Sequence, residues 1–249
     1  KDPESEIVQT NIKGTEIVLR AAALAKVKKV IYVSSVAAVG HDGSPLNEHH
    51  WNDETGNAYY RSKILSEQRA WELAEELGLD MITVLPSAMI GPNATNLTDT
   101  MGFLESIRLK KLPFNPNFFF NFVDVRDVAE AMYLAATSGT TGQRYILANH
   151  SSTALDDIVK STNTPSRNKR APLSLPRWLL YIIASLSEAL SSLSGKPAEL
   201  TRSQVRLFYG IKQEYDISRA SKELRFEPRS PIVALRETFE YLNIRAENN

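Results

Sequence analysis

Tyr59 and Lys63 stand four residues apart in Tyr59-Tyr60-Arg61-Ser62-Lys63. That spacing puts both side chains on one face of a helix, where they can act on a single bound molecule. A phenol titrates near about 10, too high for a proton shuttle at neutral pH, but a neighbouring ammonium favours the phenolate and lowers that value. The pair therefore reads as a candidate general acid or base. By spacing alone the signal is weak, because Tyr and Lys recur at this interval on many solvated helices. Its weight depends on the elements that hold it.

Ile7, Val8, Ile12, Ile17, Val18 and Leu19 recur at helical spacing and predict a first helix over residues 4–26. Gly14 inside it points to close packing at that turn or is simply tolerated. Val30-Ile31-Tyr32-Val33 is a β-branched and aromatic run ending in Ser34-Ser35, as a buried parallel strand should. A polar loop over 40–57 leads to a helix over 58–77, with Ile64, Leu65, Ala70, Trp71, Leu73 and Ala74 as its core face and Gly78 as its stop. Residues 81–85 form the next strand, closed by Pro86 and Ser87. An excursion follows, with a helix over 101–110 and an aromatic end, Phe118-Phe119-Phe120-Asn121-Phe122, that serves equally as pocket wall or buried packing. A helix over 124–137, with Asp127 as a cap near its start, and a strand over 144–148 complete the alternation. Beyond Asn149 only helices are expected, over 155–161, 177–193, 198–209, 218–224 and 232–242, with a mobile polar loop over 162–170. This order predicts an α/β fold whose strands end, at their carboxyl edge, where ligands bind.

Composition narrows the partners. Twenty-nine basic and 29 acidic residues cancel, which argues against nucleic acid or an anionic membrane and for a small-molecule partner. The absence of cysteine excludes disulfides and thiolate chemistry and fits a reducing, cytoplasmic setting, as does the polar start Lys1-Asp2-Pro3-Glu4-Ser5. The apolar run 178–193 is broken by serines and Glu188, too short to span a bilayer, and reads as an amphipathic helix packed on protein rather than on a membrane surface. His49-His50 has no evident third ligand, so no metal is expected. A Ser35 hydrolase using His41 lacks the glycine pattern of a nucleophile elbow.

Several stretches, in order, resemble the later half of an extended short-chain dehydrogenase/reductase of the NAD-dependent epimerase/dehydratase superfamily. They are Asn11-Ile12-Lys13-Gly14-Thr15, Val30 to Gly40, Tyr59 to Lys63, Leu85-Pro86-Ser87-Ala88-Met89-Ile90-Gly91-Pro92, Phe122-Val123-Asp124-Val125-Arg126-Asp127-Val128-Ala129, and Tyr215-Asp216 with Glu223-Leu224. The flavour is similar to the dihydroflavonol-4-reductase-like and 3β-hydroxysteroid dehydrogenase-like group. The resemblance implies a Rossmann-type doubly wound parallel sheet, its N-terminal strands missing, with a smaller, mostly helical substrate-binding part. Residues 1–149 would be the incomplete dinucleotide-binding domain, with 92–121 reaching toward the substrate lobe, and 150–249 that lobe.

The resemblance also implies NADP or NAD as cofactor and a role for each site residue. Tyr59 would transfer the proton to or from the substrate oxygen. Lys63 would lower its pKa and hold the nicotinamide ribose, while Ser35, with Ser34 as second choice, would hydrogen-bond the carbonyl. Pro86, Ala88 and Met89 would lie along the nicotinamide, Asn11 would support Lys63 through water, and a homodimer would form through the helices carrying Asn11 and Tyr59. The chemistry agrees: hydride transfer to a carbonyl builds negative charge on oxygen, which two positioned O–H donors stabilise.

Two departures shape the expectation. No G-x-x-G-x-x-G or G-x-G-x-x-G phosphate loop occurs, and no strand precedes the first helix to carry one. About two βαβ units of roughly 30 residues each are expected ahead of it, so the chain reads as part of a longer protein, with a degenerate, non-catalytic binding relative as the alternative. The strand at 30–33 should then present an unpaired hydrophobic edge. Secondly, nucleotide-sugar members resemble Arg-Asp-Phe/Tyr where this chain has Phe120-Asn121-Phe122. An apolar ketone or alcohol, sterol-like or flavonoid-like, is the expected substrate, with Phe118, Phe119, Trp178, Leu179 and Tyr181 available for its pocket. A nucleotide-sugar epimerase or dehydratase stays open through Arg167, Lys169 or Arg170. The 249 residues alone are predicted to bind nicotinamide dinucleotide weakly or not at all in a fluorescence titration; tight, saturable binding would overturn this.

Overall fold

The computed structural model describes residues 3–41, 45–54, 56–94, 96–162, 172–195, 198 and 200–247. Helix α1 (Pro3–Leu24) leads into strand β1 (Val30–Val33) and a single 3₁₀ turn (Val36–Ala38). Helix α2 (Ala58–Leu77) ends at Gly78, whose φ of 62° is the left-handed conformation that glycine adopts without a Cβ penalty. Strands β2 (Met81–Pro86) and β3 (Ala88–Ile90), helix α3 (Asp99–Arg108), strands β4 (Phe119–Phe120) and β5 (Phe122–Asp124) and helix α4 (Val125–Ser138) follow. The remaining elements are β6 (Arg144–Leu147), β7 (Thr153–Ala154), α5 (Leu155–Ser161), α6 (Arg177–Ser194), α7 (Arg202–Phe208), α8 (Ser218–Leu224) and α9 (Pro231–Glu247).

The main sheet is parallel, in the order β1-β2-β6, with Val33 beside Val84 and Pro86 beside Leu147. Both faces are covered, which is why β2 is buried throughout rather than alternating. Met81, Val30 and Tyr32 face Leu19 of α1 and Ala70, Leu73 and Ala74 of α2. Ile82, Val84 and Ile146 face Val128, Ala131 and Ala135 of α4 and Ala220 and Leu224 of α8. This is the doubly wound α/β arrangement. A separate core joins Ile90, Leu104 and Phe122 to Ile158 of α5 and to Leu235 and Phe239 of α9. β1 lies at the edge of the sheet, with Val33 40% exposed and no further strand beside it among the described residues.

Several expectations are corrected. The segment beyond Asn149 is not purely helical, because β7 pairs antiparallel with β4. β3 and β5, also unforeseen, pair parallel to each other outside the main sheet. On α1, among the described residues, Val8 and Leu19 are buried, whereas Ile7, Ile17 and Val18 are exposed. A Cβ at Gly14 would meet nothing within 4 Å, so that glycine is tolerated rather than required by packing. α4 is capped by Asp124, which accepts from the Arg126 amide at 2.8 Å; Asp127 instead pairs with Arg229 ahead of α9. Burial raises the Asp127 carboxyl above its ordinary range against the pull of Arg229. α7 begins at Arg202 because Thr201 and Gln204 form a reciprocal capping box there. The loop expected over 162–170 lies, beyond Thr162, outside the described residues.

One buried ion pair ties the layers together. Glu67 of α2 accepts from Arg144 Nε of β6 at 2.7 Å and from Ser34 Oγ at 2.6 Å, and Arg144 donates onward to the carbonyls of Glu48 and His50, each at 2.8 Å. The Arg144 guanidinium also stacks on Trp51, 4.0 Å from its ring centroid. Removing one partner would strand a buried charge, a loss of about 3–5 kcal/mol. Glu67→Ala is predicted to lower unfolding free energy in urea by about that amount; a change within experimental error would contradict the role given to the pair.

Candidate active site

α2 starts where it does because Asn57 accepts from the amides of Tyr59 and Tyr60, at 3.0 and 3.2 Å. Tyr59 is thereby the second helical residue and Lys63 lies one turn on, its Nζ 5.9 Å from the Tyr59 ring centroid. The adjacent tyrosines divide. Tyr59 is 52% exposed, whereas Tyr60 is buried, and burial, with Tyr215, Tyr59 and Glu54 nearby, pushes its phenol far above the ordinary range. Only Tyr59 can present a proton to a ligand. Lys63 is half-buried, and burial holds its ammonium below the ordinary lysine range with no carboxylate to offset it among the described residues.

The two serines divide as well. The Ser34 hydroxyl is spent on Glu67. Ser35, partly exposed, accepts the Ala37 amide at 3.1 Å as cap of the 3₁₀ turn, which uses a lone pair and leaves its proton to donate elsewhere. That turn packs on the start of α2, where Ala37 and Tyr60 share a cluster with Leu207. Since Val33 is in register with Val84, Ser35 and Pro86 each stand two residues beyond a matched pair at the same carboxyl edge. Ala88 is half-buried and Met89 40% exposed on β3.

Asn11 of α1 donates to Ser62 Oγ at 3.0 Å, and Ser62 donates to the Tyr59 carbonyl at 2.8 Å. Its direct partner is thus the serine beside Lys63, and through it the helix backbone under Tyr59. Sequence reasoning missed two contributors. Asn57 was legible as a capping residue type immediately before an apolar-periodic run. Glu67 carried no local signal. Ser87, at the end of β2, has a buried hydroxyl with no hydrogen-bond partner among the described residues.

The aromatic run serves two purposes. Phe120 and Phe122 stack in the second core with Phe103, at centroid distances of 5.7 and 4.7 Å from Phe120. Phe118 joins Phe208, which with His41 and Tyr60 forms a chain of rings leading to Tyr59, 6.0 Å from Tyr60. Tyr181 packs in the cluster that holds Phe118, but Trp178, expected in a pocket, points outward. Asn121 is fully buried and bonds backbone groups of Asn149 and Gln213, acting as a strut between loops. His50 contacts Asn47 and His49 contacts Arg219. A cavity of about 520 Å³ lies at the far end of α2 around Trp51, Trp71 and Met81, away from Tyr59.

Comparison with known proteins matches residues 1–148 to the NAD dependent epimerase/dehydratase family. The chain is 31% identical over 240 residues to a Synechocystis protein provisionally named dihydroflavonol 4-reductase, covering 93% of this chain and 68% of that one. It is 35% identical over 161 residues to cinnamoyl-CoA reductase 1 of Arabidopsis thaliana, covering 59% of this chain and 46% of the relative. The chain thus spans about two thirds of the first relative and less than half of the second. The crystal structure of gox2253 superposes with a TM-score of 0.80 at 29% identity, over 98% of this chain and 75% of that one.

The burial of the Lys63 ammonium has a thermodynamic signature. With a folded pKa below the unfolded value of about 10.4, its burial cost is present at neutral pH and is relieved as pH rises from the folded to the unfolded pKa. Lys63→Met is predicted to raise Tm at pH 7, with the gain shrinking as pH rises through that window. An equal gain at every pH, or none, would contradict the burial.

Proposed function

The chain belongs to the NAD dependent epimerase/dehydratase family, in the extended short-chain dehydrogenase/reductase superfamily and its dihydroflavonol-4-reductase-like group, and from that premise we propose that it carries the catalytic part of an NAD(P)-dependent oxidoreductase acting on a small, fairly apolar carbonyl or hydroxyl compound. One observation carries the reading most: an exposed Tyr59 above a half-buried Lys63 that has no counter-ion among the described residues. A buried ammonium left without a carboxylate is costly, and such groups cluster at functional sites.

The residues present fit the nicotinamide end of the cofactor. The Ser87 hydroxyl, without a partner among the described residues, and the Lys63 ammonium are polar groups that a carboxamide and a ribose would satisfy, with Pro86, Ala88 and Met89 along the ring. The pyrophosphate loop is not in this sequence. When bound, the dinucleotide gives or takes the hydride at the substrate carbon. Tyr59 gives its phenolic proton to the carbonyl oxygen, or takes one from the alcohol in reverse. The charge of Lys63 stabilises the phenolate that remains, and Ser35 donates to the same oxygen.

The apolar preference rests on Asn121 being buried as a strut where a phosphate ligand would be needed, and on the ring chain from Phe118 to Tyr60 beside Tyr59. The reductase names of both curated relatives support the same class. Exposed Ile17, Val18 and Leu65 on the paired helices α1 and α2 support a homodimer through them.

In the protein that carries this chain, Tyr59→Phe is predicted to lower kcat by about 10²–10⁴-fold with nearly unchanged cofactor affinity. Ser35→Ala should lower kcat, whereas Ser34→Ala should chiefly lower stability. Retained turnover in the tyrosine variant would sink the assignment.

A further inference from the structure

Two of the chain's three tryptophans, Trp51 and Trp71, line the cavity of about 520 Å³ that the proposed chemistry leaves unused. It opens on a different face of α2 from the one α1 covers, since α1 meets α2 at Ser62, Arg69 and Glu76 whereas Gln68, Trp71, Glu72 and Glu75 line the cavity. Ala74, Leu79 and Met81 add apolar surface, and the turn at Thr141 and Gly142 ahead of β6 completes the lining. Met81 and Pro86 are the two ends of β2, so the cavity lies at the amino edge of the sheet, roughly 16 Å from the carboxyl edge that carries Ser35. A concavity of this volume, largely aromatic and apolar with a few polar groups, has the character of a small-molecule site.

The lining selects the charge of an occupant. Among the described residues its charged members are Glu72 and Glu75, with no lysine, arginine or histidine beside them. Glu72 gives one carboxylate oxygen to Arg69 at 2.9 Å. Glu75, exposed one turn beyond Trp71, has a carboxylate that engages no partner among the described residues. An indole face attracts a cation through its quadrupole. That attraction is already displayed at Trp51, which carries the Arg144 guanidinium 4.0 Å from its ring centroid while 40% of the residue stays exposed. Arg144 does not repel a second cation, because Glu67 neutralises it at 2.7 Å. Trp71 donates its indole N–H to Glu67 at 3.4 Å, which holds the polar edge of the ring inward and leaves apolar ring surface to line the cavity. An anion would meet two carboxylates here, and a neutral molecule would gain nothing from Glu75.

We propose that this cavity binds a small organic cation, an aromatic or quaternary amine, against Trp51 and Trp71 with Glu75 as its counter-ion. The site is separate from the one built on Tyr59 and stands without it. Both tryptophans touch the Glu67–Arg144 pair that fixes α2, so an occupant bears on the catalytic helix from its far end. The test is calorimetric titration of the purified protein that carries this chain. The probes are 3-hydroxyphenyltrimethylammonium and 3-tert-butylphenol, which share a shape and differ in charge. The cation should bind about tenfold more tightly than the neutral phenol and should raise Tm as its concentration rises. Glu75→Gln, at an exposed position, should lose about threefold or more of the affinity for the cation and leave that for the phenol unchanged. Gln68→Trp, also exposed, fills the cavity and should exclude both probes, with an unchanged thermal melt in their absence. The proposal is overturned if the wild type shows no saturable binding of the cation, if the two probes bind equally, or if either variant binds the cation as the wild type does.

Discussion

A single buried carboxylate holds the architecture in register. Glu67 sits on α2 one turn beyond Lys63, fully buried, and binds Arg144 of β6 and Ser34 at the end of β1. Arg144 extends the network to the backbone of Glu48 and His50 in the loop that returns to α2. The helix bearing Tyr59 and Lys63, the strand that delivers Ser35 and the far strand of the sheet are therefore fixed relative to one another by one charge pair. Burying such a pair carries a desolvation cost, which four further hydrogen-bonded partners, the Ser34 hydroxyl, the Trp71 indole and the Glu48 and His50 carbonyls, offset. The value of the arrangement lies in position: a rotation or slide of α2 would break it.

The same network explains how identical neighbours come to differ. Ser34 and Ser35 are alike in sequence, but the first is consumed by Glu67, while the second caps the turn with its lone pair and donates to no group among the described residues. Tyr59 and Tyr60 are alike too, yet Asn57 fixes the helix start so that one ring turns outward and the other joins His41 and Phe208 in the interior. Each pair supplies one structural and one available group. α1 adds a further constraint from the opposite side, through Asn11, Ser62 and the Tyr59 carbonyl.

Much of this was legible in the sequence where periodicity or local chemistry is strong. The span of α2, with Gly78 as its stop, followed from apolar spacing and a left-handed cap, and the run from Val30 to Val33 was legible as a strand, although at the sheet edge it is half-buried to exposed rather than buried as expected. β3, β4, β5 and β7 were not legible, because two or three residues carry no alternation to read and their pairing is set by tertiary contact. Glu67 was invisible for a related reason: its partners are 33 and 77 residues away. Asp127 looked like a cap because only the fold brings Arg229 to it. α6 is amphipathic, but its apolar side holds two rows, Leu180–Ala184 and Ile182–Leu186–Leu190, so its sequence could not say which row would be covered.

The proposed site thus combines an exposed phenol, an ammonium and two hydroxyls, Ser35 and Ser87, that find no counter-ion or acceptor among the described residues, and an aromatic approach at the sheet edge. These are the parts needed to protonate a carbonyl oxygen as hydride reaches its carbon, and they lack a phosphate ligand at Asn121. The measurement that tests this most directly follows the hydride itself. The protein that carries this chain is supplied with NAD(P)H deuterated at the nicotinamide C4 and an aryl or alicyclic ketone, and the product is analysed by mass spectrometry. The account predicts an alcohol with one deuterium on the carbinol carbon and equivalent oxidation of the cofactor. A substrate rearranged or epimerised with no net cofactor oxidation, or no transfer to any apolar ketone, would contradict it.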